Sequence, residues 1–188
     1  MLRNRALGRV TVVATRTKAL CGDRSGAVYV EFIIAFLPLF FLFCGILQLG
    51  MVQLADLVTK HAAVTATRAA IVVLPDDPNF YSGAPLNQPV GSRLADITTA
   101  TTETLQAIDP KPQVTLNFPS APGGSDSRSS FGMWDIVRVQ VHYTYPCTIP
   151  IGNYLVCGAD AKKTLVGESS MMNQGCNLPY ASQSSGGG

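Results

Sequence analysis

Phe32–Ala55 reads FIIAFLPLFFLFCGILQLGMVQLA, a run of 24 residues without a formal charge, closed by Glu31 on one side and Asp56 on the other. Only Pro38, Gly45, Gln48, Gly50 and Gln53 depart from the apolar set. At about 1.5 Å per residue a helix of this run is roughly 36 Å long, more than the ~30 Å hydrocarbon core of a bilayer. A buried core helix rarely runs so far without a polar face. A secretory signal has an apolar region of about 7 to 15 residues followed by a small-residue cleavage site. Gln53-Leu54-Ala55-Asp56-Leu57-Val58 offers no such site. The run is therefore read as a helix that crosses the lipid bilayer once.

The flanks orient that helix. Residues 1–26 carry Arg3, Arg5, Arg9, Arg16, Lys18 and Arg24 against Asp23, a net of +5, whereas the rest of the chain is net −3. Short basic segments stay on the cytoplasmic side, so the C-terminal part is expected to be extracytoplasmic. That acidic remainder lacks the electrostatic footprint of a nucleic-acid binder. The whole chain has 188 residues, 47% apolar and 14% charged, which excludes a mainly disordered polymer and leaves room for one ordinary domain. Cys147, Cys157 and Cys176 all fall on the oxidising side, where one pair and one spare thiol are expected. The pairing stays open: a Cys147–Cys157 bridge would close the loop before the last strand, and Cys176 competes.

Glu31 sits between Val30 and Phe32 with no cation within helical reach. A carboxylate at membrane depth costs roughly 2.5–3.5 kcal/mol on insertion scales and is normally paired and functional. Its sequence context is Arg24-Ser25-Gly26-Ala27-Val28-Tyr29-Val30-Glu31-Phe32, and beyond the apolar run come Ala62-Ala63 and Ala66-Thr67-Arg68-Ala69-Ala70. A glycine followed five residues later by glutamate and an aromatic, at the head of a long apolar helix, resembles the processing and assembly site of type IV pilin-like proteins. From Asp23 to Val73 the chain resembles TadE-like proteins, the minor pseudopilins of tight-adherence (Flp) pili.

The resemblance implies a specific chemistry. A prepilin peptidase would cut after Gly26, where the absence of a side chain lets the scissile backbone approach closely. Ala27 would become the new N-terminus, with an amine largely protonated at neutral pH. Glu31 and Phe32 would then serve assembly, the carboxylate pairing with the amine of a neighbouring subunit. The implied partners are other pilins or pseudopilins and the platform proteins of a bacterial inner membrane.

Pro38 removes a helix hydrogen bond and is expected to kink the helix. Beyond Asp56 the helix is expected to continue to Leu74, with Ala55, Ala62, Ala66, Ala69 and Val73 as a small-residue stripe that packs first against the chain's own outer domain. Pro75-Asp76-Asp77-Pro78 stops it. Leu94, Ile97, Thr101, Leu105 and Ile108 mark a second helix, ended by Asp109-Pro110. Val114–Phe118, Val137–Tyr145 and about 161–171 read as strands. The expected fold class is α+β and pilin-like: a leader at 1–26, a transmembrane and amphipathic helix at 27–74, a head at 75–176 with a short antiparallel sheet, and a tail at 177–188. With His only at 61 and 142 and no nucleophile or phosphate-loop pattern, no enzyme, cofactor or metal site is expected. The competing reading is a permanently anchored single-pass protein whose head binds a partner.

Overall fold

A computed structural model describes residues 25–173. Helix α1 (Ser25–Val73) is followed by a 3-10 turn at Pro78–Tyr81, helix α2 (Gly91–Leu105), strands β1 (Val114–Asn117) and β2 (Ile136–Pro146), the short helix α3 (Gly152–Val156), and strand β3 (Lys162–Met172). The three strands form one antiparallel sheet in the order β1-β2-β3. Leu116 faces Val141, and Val141 in turn faces Gly167, which fixes both registers. The architecture is the expected α+β, pilin-like arrangement of one long helix, a second helix and a small sheet.

The alternation in β2 does what its period demands. Val137, Val139, Val141, Tyr143 and Tyr145 are buried against the helices, and Arg138, His142 and Thr144 lie on the outer face. Buried Ala62, Ala63, Ala66 and Ala70 of α1 meet this sheet and the α2 residues Ile97 and Leu105 in one hydrophobic core. The alanine stripe thus packs inside its own chain. Gly167 in β3 permits the closest approach: a Cβ there would lie 2.4 Å from the Thr59 carbonyl oxygen of α1.

Two details differ from the sequence reading. Helix α2 ends at Leu105, not Ile108, because the Leu105 carbonyl accepts from the amides of both Ile108 and Asp109, closing a turn before Pro110. The connection between β2 and β3 holds a helix, α3, where a loop was expected. A disulfide joins Cys147 to Cys157 across it, and Cys44 is a free, buried thiol. Cys176, residues 1–24 of the leader and the tail lie outside the described residues.

The C-terminus of α1 is sealed by an unforeseen residue. Arg93, fully buried, donates to the carbonyls of Val73, Asp76 (2.8 Å) and Ala84 (3.3 Å), and stacks on Tyr81 with its guanidinium 4.4 Å from the ring centroid. A helix end leaves carbonyls unpaired and carries partial negative charge, so a cation there satisfies both.

Candidate functional site

Ser25–Val73 is a single helix 49 residues long, and Pro38 lies within it without interrupting it. Its surroundings divide it. From Gly26 to Phe43 every residue is exposed, including Phe32, Ile34, Leu39 and Leu42. From Cys44 onward the head covers one side, burying Cys44, Gln48, Val52 and Ala55. The head therefore reaches lower on the helix than the charge pattern implied, so that Phe32–Ala55 is bare on all sides only in its first half. Gln48 is the lowest polar tie: fully buried, it accepts the Ile149 amide through Oε1 at 3.0 Å.

The bare part contains Gly26, Ala27, Glu31 and Phe32. Ala27 and Glu31 are one i,i+4 step apart and share a face. With Gly26, Val30, Ile34 and Ala35 they line a shallow notch that is apolar except for the carboxylate. Small side chains at positions 26, 27 and 35 create the notch, and the acid stands on its wall. Among the described residues none forms an ion pair with Glu31.

Gly26 itself is not required by the fold. A Cβ there would have nothing within 4 Å. By contrast, a Cβ at Gly152 would lie 2.5 Å from the Cys44 carbonyl oxygen, nearly as close as the 2.4 Å conflict at Gly167. Gly152 and Gly167 are explained by packing against α1, and the glycine at the helix start is not.

An aromatic ladder completes the region. Phe32 stacks on Phe36 with centroids 5.4 Å apart, and Phe36 on Phe40 at 5.7 Å. Only Phe32 was singled out from the sequence, although the four-residue spacing of Phe32, Phe36 and Phe40 carries the signal. Pro38 and the Cys147–Cys157 bridge stand apart from the notch; the bridge lies above it on the head.

The polar outer face of the sheet is self-contained. Glu168 accepts from Gln140 Nε2 and from the Gly123 amide, both at 2.9 Å, and lies 3.4 Å from Arg138 Nε. These donors, Gln140 first, hold its carboxyl below the usual glutamate value. His142 Nε2 lies 3.4 Å from Asn117 Nδ2 and 3.3 Å from Gln140 Oε1. These groups pin the 119–130 loop and satisfy one another.

The family model described as TadE-like protein matches residues 26–68, beginning at Gly26 and ending at Arg68. No curated protein and no solved structure matches the chain.

Proposed function

With residues 26–68 TadE-like and so tied to tight-adherence pili, we propose that this chain is a minor pseudopilin-like membrane subunit needed to assemble such a pilus or a related secretion apparatus. In this reading a prepilin peptidase removes the leader after Gly26, α1 anchors the subunit in the inner membrane, and the head stands outside the cytoplasm. Its partners are pilins, pseudopilins and platform proteins, and its role is structural and not enzymatic. The observation that carries the reading is Glu31: an acid in the bare apolar half of α1, one helical step after Ala27, with no cation of the described chain to neutralise it.

Cleavage creates the missing charge. The freed Ala27 amine of one subunit meets Glu31 of the next when the two helices are displaced by about four residues, or roughly 6 Å along the axis. In a low-dielectric bundle this pair acts mainly as a register device, since desolvation offsets much of its attraction. Uncut chain has a neutral peptide bond at that place, so processing licenses assembly. Gly26, unconstrained by the fold, is then explained by the peptidase.

Glu31→Gln tests the pairing. The variant is expected to insert and to be cleaved normally, while its incorporation into the complex, read by crosslinking, falls at least about tenfold, the ratio given by ~1.4 kcal/mol. Normal incorporation removes the pairing. N-terminal sequencing of the membrane-extracted protein tests processing: Ala27 as first residue is expected, and an intact leader in assembled particles would favour the anchored binding module.

A further inference from the structure

Helix α3 is the part of the head nearest the bare half of α1, and its outward side is apolar. Tyr154 and Leu155 are 70% and 64% exposed, and Ile151 before them is also exposed. The element is held rigidly at this level. Gly152 packs on the Cys44 carbonyl, Gln48 binds the Ile149 amide, and the Cys147–Cys157 bridge closes the segment. A methyl group at Gly45 would touch Leu155 Cδ1 at 3.4 Å, so Leu155 is continuous with the exposed apolar surface of α1 at Ile46 and Leu49.

Ile151 adds a second sign. Its φ of 67° and ψ of −49° put a β-branched residue at the centre of a γ-turn, closed by the Gly152 amide donating to the Pro150 carbonyl at 2.7 Å, a rare and strained conformation. Holding such a residue there costs on the order of 1–3 kcal/mol. Packing within the chain does not account for an apolar side chain that stays exposed at this position.

Depth identifies the occupant. Counted from Gly26, a ~30 Å hydrocarbon core takes about 20 residues of helix, which ends near Ile46. That is the level of α3. We propose that Ile151, Tyr154 and Leu155 form a foot by which the head inserts into the outer lipid surface of the bilayer crossed by α1. The foot rests on the membrane-anchor reading of α1 and fixes how deep and in what orientation the head sits. An amphipathic tyrosine with apolar neighbours suits the interface, where one end of the ring is apolar and the other wet.

The full-length chain in vesicles of phosphatidylcholine and phosphatidylglycerol with brominated acyl chains tests this. In a Trp134→Phe background, Tyr154→Trp supplies the only indole, and Phe36→Trp in a separate sample reports on α1. Insertion about 5–10 Å below the headgroups brings the indole at 154 against bromine on the upper chain carbons, with roughly half its emission lost and a blue-shifted maximum. Quenching at 36 with water-like, unquenched emission at 154 overturns the foot and leaves the anchor standing. Unquenched emission at both positions overturns both. A blue-shifted indole at 154 that ignores bromine and responds to the protein-to-lipid ratio also overturns the lipid foot, identifying a second copy of the chain as the occupant.

Discussion

The two halves of α1 share one backbone and are written in different residues. Below Cys44 the helix carries Phe, Ile and Leu, all exposed; above it the side facing the head is mostly small, with Ala55, Thr59, Ala62, Ala63, Ala66, Thr67 and Ala70 all buried between Gln48 and Val52 at one end and Leu74 at the other. Large side chains suit contact with lipid chains or with a neighbouring helix, where no partner from the same chain must come close. Small ones let a sheet approach the helix axis. The same contrast separates the glycines. Those at 152 and 167 exist because a backbone carbonyl of α1 stands in the way of a side chain, whereas Gly26 faces open space. Residue size along one helix thus marks where the chain binds itself and where it is left for something else.

Gly167→Ala against Gly26→Ala is the most forceful way to break this contrast. The new methyl group at 167 meets Thr59 O at 2.4 Å and Thr59 C at 2.8 Å, backbone atoms that cannot rotate aside. Relieving that overlap means moving β3 off α1, at about 3 kcal/mol or more, which lowers the melting temperature by roughly 6–12 °C in a chain of this size. At 26 the same substitution is expected to leave thermal unfolding in detergent unchanged and to impair leader removal instead. Equal melting temperatures for the two variants would show that close approach of sheet and helix is not what glycine provides.

A smaller effect comes from exchanging sizes between the halves. Ala66→Leu forces a large side chain into the filled core and is expected to cost about 1–3 kcal/mol. Leu42→Ala, in the bare half, should alter unfolding of the head by less than about 0.5 kcal/mol, since it contacts none of the core. Its loss would be felt in membrane insertion or assembly. Near-ultraviolet circular dichroism during heating separates the two; comparable destabilisation by both would place residue 42 inside the folding unit.

Legibility followed the same division. The bare half is ruled by solvent, and a run of apolar residues with one acid is visible without coordinates. So was β2, because its valines alternate with polar residues over the whole strand. Arg93 was not, because a buried cation sealing a helix end depends on carbonyls 20 residues away and no local pattern marks it. Helix α3 was missed because its five residues are too few for a periodicity and follow Pro150. The depth of the head on α1 was missed for a related reason: Cys44, Gln48 and Val52 look like any other members of an apolar run, and only the glycine at 152 and the tie from Gln48 bring the head down to them.

The smallest expected effect concerns charge. The bare half holds a single carboxylate, Glu31, while the head uses several, and Glu168 is the one that fastens the 119–130 loop to the sheet. Hydrogen bonds from Gln140 and the Gly123 amide, with Arg138 beside it, lower its pKa below the ordinary 4.5. A folded-state pKa below the unfolded one means that the unfolded chain binds the proton more readily, so this stabilisation is complete above about pH 5 and fades as the pH falls through the lowered value. For a group near the surface its size is under about 1 kcal/mol. Glu168→Gln should therefore melt a few degrees below wild type at pH 7, and the two curves should draw together as the pH falls through the lowered pKa and the carboxylate takes up its proton. A gap independent of pH would assign the difference to the shape of the side chain and not to its charge, and would leave the acid sensitivity of the head to other groups such as Asp135, whose pKa is lowered by the Gly132 amide and Arg128.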